Sequence, residues 1–335
     1  MEITEGTIDD LLNTVFSTLL DSGRQIHPTR GPALEVTAVL LQLTNPRARL
    51  SLTETKGRLF SCLGELLWYL AATDDLGFIT YYLSRYQNDS EDNRTIYGAY
   101  GPRLFDIHGS GTNQIKNVLS LLKKNRDSRR AVIQLFDAVD LARRHKEIPC
   151  TCTLQFMIRG RRLEMLTNMR SNDAFLGLPH DIFAFTMLQE IFARTLGVEL
   201  GTYSHMVGSL HLYQRDERSA RAYLTEGVQS SQTAMSAMPP SNPWPSIKRL
   251  LNAERAIREG GGTGPIGNLH PFWADLVRLL GIYGHSRRGE WGKICELKSD
   301  MSSRLYDVYI EEMETRTKRR NTKRQARATR AKRPK

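Results

Sequence analysis

Apolar residues recur three and four positions apart through residues 7–21, with Asp9 and Asp10 at the start, where a helix favours negative charge. This spacing predicts an amphipathic helix. Leu34–Leu43 and Ala48–Leu52 alternate in part and read as strands. Leu59–Ala72 is an apolar helix carrying one acid, Glu65. Residues 87–112 are rich in Asn, Asp, Gly and Tyr and read as loop. A helix over 113–124 follows, then strands at Ala131–Phe136, Thr151–Ile158 and Arg162–Thr167, a long apolar helix at Asp181–Leu196, and a strand around Glu199–Val207. Pro- and Gly-rich breaks punctuate 229–268 around one short helix, and a helical section runs from about 270 to 315. No internal repeat is visible. Strands and helices mix without a regular β-α-β rhythm, which predicts an α+β fold and argues against a doubly wound one.

Composition changes this picture in three places. With 335 residues, 40% of them hydrophobic, the chain can bury a large core in one big domain or two. The net charge of +11 is local: eleven Lys or Arg and no acid lie between Arg316 and Lys335, leaving 36 basic against 36 acidic residues before them. Residues 1–315 are therefore expected to form the catalytic body. Residues 316–335 are expected to be a disordered, solvated basic tail, with contact to nucleic acid or another polyanion as its alternative use. Four cysteines are too few for a disulfide scaffold, and neither a secretory signal nor a membrane span is visible, so a soluble protein of a reducing, cytoplasmic compartment is expected.

The candidate chemistry is concentrated in residues 149–213. Pro149-Cys150-Thr151-Cys152-Thr153-Leu154-Gln155-Phe156 is followed by Met169-Arg170-Ser171-Asn172-Asp173-Ala174-Phe175-Leu176-Gly177-Leu178-Pro179-His180-Asp181 and by Gly208-Ser209-Leu210-His211-Leu212-Tyr213. These supply a thiol, a guanidinium, a hydroxyl, two carboxylates and a His/Tyr pair, suitable for holding a phosphorylated nucleotide beside a nucleophile. Arg170 could lower the pKa of a nearby thiol and also hold a phosphate. Cys150 and Cys152 share a strand face, so either could be the nucleophile, and a free cysteine is often just a small core residue. No second ligand pair at zinc spacing accompanies them, and no metal site is expected.

The window resembles the thymidylate synthases and their pyrimidine hydroxymethylase relatives, whose marks are Pro-Cys-x-x-x-Gln-Phe, Arg-Ser-x-Asp-x-x-Leu-Gly-Leu-Pro-x-Asn and His-x-Tyr. Upstream, Gly64-Glu65-Leu66-Leu67-Trp68-Tyr69-Leu70 resembles the family's Glu-Leu-Leu-Trp helix, Ile96-Tyr97-Gly98 its Val-Tyr-Gly, and Asp127-Ser128-Arg129-Arg130 its Ser-Arg-Arg. The resemblance covers roughly residues 25–225. It implies an α+β fold with a mixed sheet flanked by helices, an obligate homodimer, and 5,10-methylenetetrahydrofolate as one-carbon donor. It further implies that Cys150 adds to C6 of a pyrimidine nucleoside monophosphate so that C5 becomes a carbon nucleophile. Glu65 and Tyr97 would handle protons. Arg170 and Ser171 would bind the 5′-phosphate, joined by Arg129 and Arg130 reaching across from the partner subunit and by Arg30 in an N-terminal loop. His211 and Tyr213 would bind the sugar, and Asp173 and Gly177 would contact the folate.

This chain departs from the pattern at three points. Asp181 stands where the synthases have the Asn that reads uracil. A carboxyl accepts from the 4-amino group of cytosine and, when it carries a proton, donates to N3, so CMP or dCMP is the expected substrate; tolerance of uracil through His180 or a water is the alternative. Thr151 replaces the His that follows the nucleophile. The chain ends Ala-Lys-Arg-Pro-Lys rather than in an apolar lid, so water is expected to reach the transferred carbon and give a 5-hydroxymethyl product. Leu43–Leu50 and Ser61–Glu65 look most like cytidylate hydroxymethylases. The competing expectations are a thymidylate synthase methylating dUMP and, from another class, a nucleic-acid-binding protein acting through its basic tail.

Overall fold

The computed structural model describes residues 1–53, 55, 57–227 and 233–315, and the basic run 316–335 lies outside the described residues. The chain divides into two compact units, residues 1–251 and 252–335.

The first unit is built on a seven-stranded mixed sheet. Its strands are β1 (Glu2–Glu5), β2 (Arg24–Ile26), β3 (Ala33–Leu43), β4 (Val132–Gln134), β5 (Thr151–Arg159), β6 (Arg162–Asp173) and β7 (Glu199–Tyr213). They lie in the order β1-β3-β7-β6-β5-β4, with β2 also on β3. The β1–β3 and β6–β7 pairs are parallel and the others antiparallel. Helices α1 (Ile8–Ser22), α2 (Leu59–Leu70), α3 (Leu76–Tyr82), α4 (Tyr100–Phe105), α5 (Gln114–Lys124), α6 (Gly177–Leu196) and α7 (Gln214–Thr225) flank it. This is the expected α+β architecture.

A row of irregularities crosses the centre of the sheet at one level. The β3–β7 ladder passes over Ala38 and Gly208, the β6–β7 ladder passes over Arg170 and Gly208, and the β5–β6 register shifts at Cys152. Ala38 takes a left-handed φ of 55°, and a Cβ on Gly208 would come within 2.9 Å of the Arg170 carbonyl oxygen. Because side chains alternate with a period of two, each irregularity swaps the faces of the residues beyond it. Buried positions in β6 accordingly run Leu163, Met165, Thr167, Met169 and then switch to Asn172. That switch sets the orientation of the chemistry-bearing segment.

α6 is buried from Leu178 to Ala193 except at Asp181, and Gly197 closes it in the left-handed conformation with φ of 63°. It packs against α2, β6 and β7. α2 is close-packed: a Cβ on Gly64 would lie 2.1 Å from Cγ of Tyr82. α8 (Trp244–Arg258) runs across the boundary at residue 251. In the second unit, α9 (Pro271–Arg288) starts on a His270 cap, α10 (Trp291–Ser299) follows, and residues 307–315 are helical. Buried Asp275 ties this unit by accepting from the Ser302 and Ser303 amides at 2.9 and 3.0 Å and from Arg278 at 2.9 Å.

Several sequence expectations need correcting. Ala48–Leu52 is not a strand: Arg49 is wholly buried and paired with Glu190 of α6 at 2.5 Å, so this segment's apolar and polar positions serve an ion pair rather than a ladder. β6 and β7 extend six residues beyond the predicted ends, to Asp173 and Tyr213. α4 interrupts the predicted loop 87–112, and α7 was not expected. Among the described residues no helix is long and apolar enough to cross a membrane.

Candidate active site

Cys150 ends the loop before β5, half-buried, with Sγ 3.6 Å from Nη2 of Arg170. Arg170 is held from behind, since Nε donates to the Pro149 carbonyl at 3.0 Å and Nη2 to that of Ile148 at 3.2 Å. The same backbone supports Gly98, where a Cβ would come within 3.2–3.3 Å of Ile148 and Pro149; the glycine allows the two loops to touch. Burial pushes the Cys150 thiol up to about 12, Glu147 and Asp181 adding to the rise against Arg170 and Arg30. At rest this cysteine is a protonated thiol.

Arg30, on the loop between β2 and β3, forms ion pairs with Asp89 at 2.8 Å and Glu147 at 2.5 Å. Burial works against its charge, but Glu147 and Asp89 outweigh it and raise its pKa. Its carbonyl accepts from Arg215 of α7 at 3.0 Å, while the Arg215 guanidinium lies 4.0 Å from the Tyr213 ring centre. Ser171 Oγ lies 3.5 Å from Nδ1 of buried His211, whose ring meets Tyr213 edge-on at 4.9 Å. Arg170 with Cys150, Arg30, and the Ser171–His211–Tyr213 row are thus brought to one region.

Behind it lies an acidic enclosure. Glu65 on α2 is 3% exposed, takes a 2.5 Å hydrogen bond from the Tyr86 hydroxyl at Oε1, and stands against Tyr69. Burial raises its pKa, against Arg85 and Tyr86. Asp181 is raised well above the carboxylate range, chiefly by burial and then by Glu65, against Arg85. Tyr100 lines the side toward Cys150, its hydroxyl accepting from the Thr151 amide at 3.2 Å and from the Thr151 hydroxyl at 3.0 Å. His180 is spent on structure, bridging the Leu176 carbonyl and Ser61 at 2.9 Å each.

Asp173 Oδ1 accepts from the Phe175 and Leu176 amides at 2.8 and 3.0 Å, which leaves Oδ2 at the half-buried rim. Gly177 beside it allows close packing, since a Cβ there would lie 2.8 Å from Asn172 Oδ1 and 3.6 Å from Asp181 Oδ2.

Three sequence candidates, Tyr97, Arg129 and Arg130, have other surroundings. Tyr97 stacks on His145 with ring centres 3.5 Å apart and an interplanar angle of 8°, lies 5.3 Å from the Arg103 guanidinium, and bonds Asp140; Tyr86 is the tyrosine that meets Glu65. Arg129 and Arg130 are exposed between α5 and β4, and among the described residues neither guanidinium forms an ion pair.

The thymidylate synthase family model matches residues 15–241, which is most of the chain and includes every strand from β2 to β7. The chain belongs to the thymidylate synthase family. Among curated relatives, a deoxyuridylate hydroxymethyltransferase of Pseudomonas phage M6 is 35% identical over 158 residues, 46% of this chain and 44% of the relative. One of Bacillus phage SP01 is 30% identical over 229 residues, 64% of this chain and 58% of the relative. The chain thus spans about half the length of the curated relatives it matches. The sequence motifs did not single out Arg85, Tyr86, Tyr100, Glu147 and Asn172, which the structure sets beside Glu65, Cys150 and Asp181. Tyr86, Tyr100 and Glu147 were missed because the partners that place them, Glu65, Thr151 and Arg30, lie 21, 51 and 117 residues away.

Proposed function

We propose that the protein transfers a one-carbon unit to C5 of a pyrimidine nucleoside monophosphate, that the product is the 5-hydroxymethyl nucleotide, and that the base is cytosine. The 3.6 Å approach of Cys150 to Arg170, beside an uncharged Asp181, carries this reading. The phosphate is held by Arg170, Ser171 and Arg30, the last exchanging its Glu147 and Asp89 partners for the incoming anion. The exposed positions of Arg129 and Arg130 suit a homodimer in which Arg129 and Arg130 of the partner subunit complete that grip. His211 and Tyr213 bind the sugar. Cys150 adds to C6: the S–C6 bond forms, the C5=C6 pair becomes C4=C5, the C4=N3 pair moves onto N3, and N3 gains a proton as the thiol loses one, with Arg170 stabilising the sulfur as charge develops. When bound, 5,10-methylenetetrahydrofolate supplies the carbon that C5 attacks. Asp173 and Gly177 would hold its ring. Glu65, with its pKa raised by burial and bonded to Tyr86, is the proton carrier nearest the base.

A neutral Asp181 offers one bare oxygen to the exocyclic amino group of cytosine and one proton to a neighbouring acceptor. The names of the phage relatives favour hydroxymethylation and, as a second reading, a uracil base. Incubation with CMP, dCMP and dUMP plus 5,10-methylenetetrahydrofolate, read by mass spectrometry, tests base and product together. The expected result is a hydroxymethyl adduct on a cytosine nucleotide; a methyl product on dUMP overturns it. Release of tritium from C5 should vanish in Cys150→Ser and persist in Cys152→Ser. The basic run 316–335 is proposed as a polyanion contact, to be lost in high salt and on truncation.

A further inference from the structure

A pocket of about 450 Å³, a volume typical of small-molecule sites, lies at the C-terminal end of α6, and every residue lining it belongs to the first unit. At 1.5 Å per residue, Thr195 in its wall stands about 27 Å along α6 from Gly177, so the pocket is separate from the region around Asp181. Phe105 at the end of α4 and Trp244 at the start of α8 form an aromatic corner, their rings edge-on with centres 6.4 Å apart. Buried Ile115 and Leu119 of α5 add aliphatic surface. The indole is fixed in place, because its Nε1 donates to Thr195 Oγ1 at 3.1 Å.

The polar groups of the lining are one-sided. Thr195 accepts from the indole and donates to the Ile191 carbonyl at 2.7 Å. Asn113 Oδ1 accepts from the Lys116 amide at 2.8 Å, and Asn242 Oδ1 from the Trp244 amide at 3.3 Å. Each of these oxygens already holds a donor, which leaves Nδ2 of both asparagines to donate. Lys116, Ser120 and Lys123 follow one another at four and three residues along an exposed stripe of α5. Among the described residues neither lysine forms an ion pair, and no Asp or Glu lines the pocket. An aromatic corner is thus bordered by donors and cations alone.

We propose that this pocket is a second ligand site, for a small molecule in which a flat aromatic ring carries an acidic group, such as an aryl carboxylate or aryl phosphate. The ring enters the corner of Phe105 and Trp244, stacking on one and meeting the other edge-on, as aromatic rings favour. The acidic group is held by Lys116 and Lys123, whose long stems reach over the rim, and by the asparagine amides. The ring supplies most of the affinity and the lysines the preference for an anion, since exposed charges are screened by salt. The site uses none of the residues assigned to the base, the phosphate or the folate, so it stands whether or not the cytosine reading does.

The test is titration calorimetry of the full chain at low ionic strength with 2-naphthoate, with 2-naphthamide as its uncharged isostere and acetate as an anion without the ring. 2-Naphthoate should bind once per chain, about tenfold more tightly than either control. The double variant Lys116→Gln/Lys123→Gln should remove that advantage over 2-naphthamide at an unchanged melting temperature. Ser120→Trp, at an exposed helix position, should fill the pocket and abolish binding. Should Ser120→Trp fail to fold, as judged by circular dichroism, the lysine variant reads the same point. Equal binding of 2-naphthoate and either control overturns the inference, as does binding that survives both variants, or no binding at about 1 mM. If no probe binds and the lysine variant alters the sedimentation of the protein, the pocket is a contact between copies of this chain and the inference falls.

Discussion

The protonated Cys150 thiol gives a sharp prediction for the resting protein. A thiol held at about 12 rather than 9 is about a thousandfold poorer in thiolate at pH 8, or about 4 kcal/mol. Intrinsic nucleophilicity works the other way: with a Brønsted slope of about 0.45, three pKa units make the thiolate itself roughly twentyfold more reactive. Population wins, and Cys150 should be alkylated by iodoacetamide about fiftyfold more slowly than an ordinary free cysteine. Peptide mapping by mass spectrometry would follow Cys150 separately from Cys62, Cys152 and Cys295. The logarithm of its rate should climb with unit slope from pH 7 to 10 without a plateau. Glu147→Gln removes a carboxylate that raises the thiol's pKa, so it should quicken the reaction at fixed pH. A plateau below pH 8 would mean that Arg170 already holds a thiolate, and the reasoning that burial and Glu147 outweigh that cation would be refuted.

Other expectations can be checked independently. Glu190→Gln leaves wholly buried Arg49 without its 2.5 Å partner and should cost about 3–5 kcal/mol, lowering the melting temperature by roughly 6–20 °C in calorimetry. Glu199→Gln, which breaks the exposed 3.4 Å pair with Arg194, should stay within about 0.5 kcal/mol by the same measurement. Gly64→Ala drives a methyl against the Tyr82 ring and should destabilise by about 1–3 kcal/mol in urea unfolding. Binding of the preferred nucleotide should weaken at alkaline pH, because Asp181, facing Glu65, Arg85, Asp173 and Asn172, has a raised pKa and loses its proton as pH rises through it. Titration calorimetry across pH should show that limb in wild type and not in Asp181→Asn.

The row of bulges explains both what could be read from the sequence and what could not. Periodicity located every long strand, because burial alternates cleanly along the first part of each: Leu163 to Met169 in β6 and Tyr203 to Val207 in β7. At Arg170 and Gly208 the alternation reverses, and the predicted strands stopped short there. Their continuations carry Arg170, Ser171 and Asp173 on β6 and His211 and Tyr213 on β7. The candidate site residues sit where the pattern fails, so motif spacing rather than periodicity pointed to them. α7 escaped notice because it buries only Ala220 and Tyr223. Ala48–Leu52 misled because the partner of Arg49 lies 141 residues away, a distance over which no local pattern carries information.

Asp181 has the same character on a smaller scale. Its identity in the sequence puts a carboxyl at this place, and burial raises its pKa well above the carboxylate range. Neither fact selects a base by itself. A neutral carboxyl has one donor and one acceptor, and exchanging the proton between its oxygens turns a partner for cytosine into a partner for uracil, much as a half-turn does for an asparagine amide. Selection therefore depends on whatever makes the two oxygens unequal. Glu65, Arg85, Asn172 and Asp173 surround Asp181, and under the cytosine reading whichever of them favours one carboxyl oxygen for the proton would set the base preference.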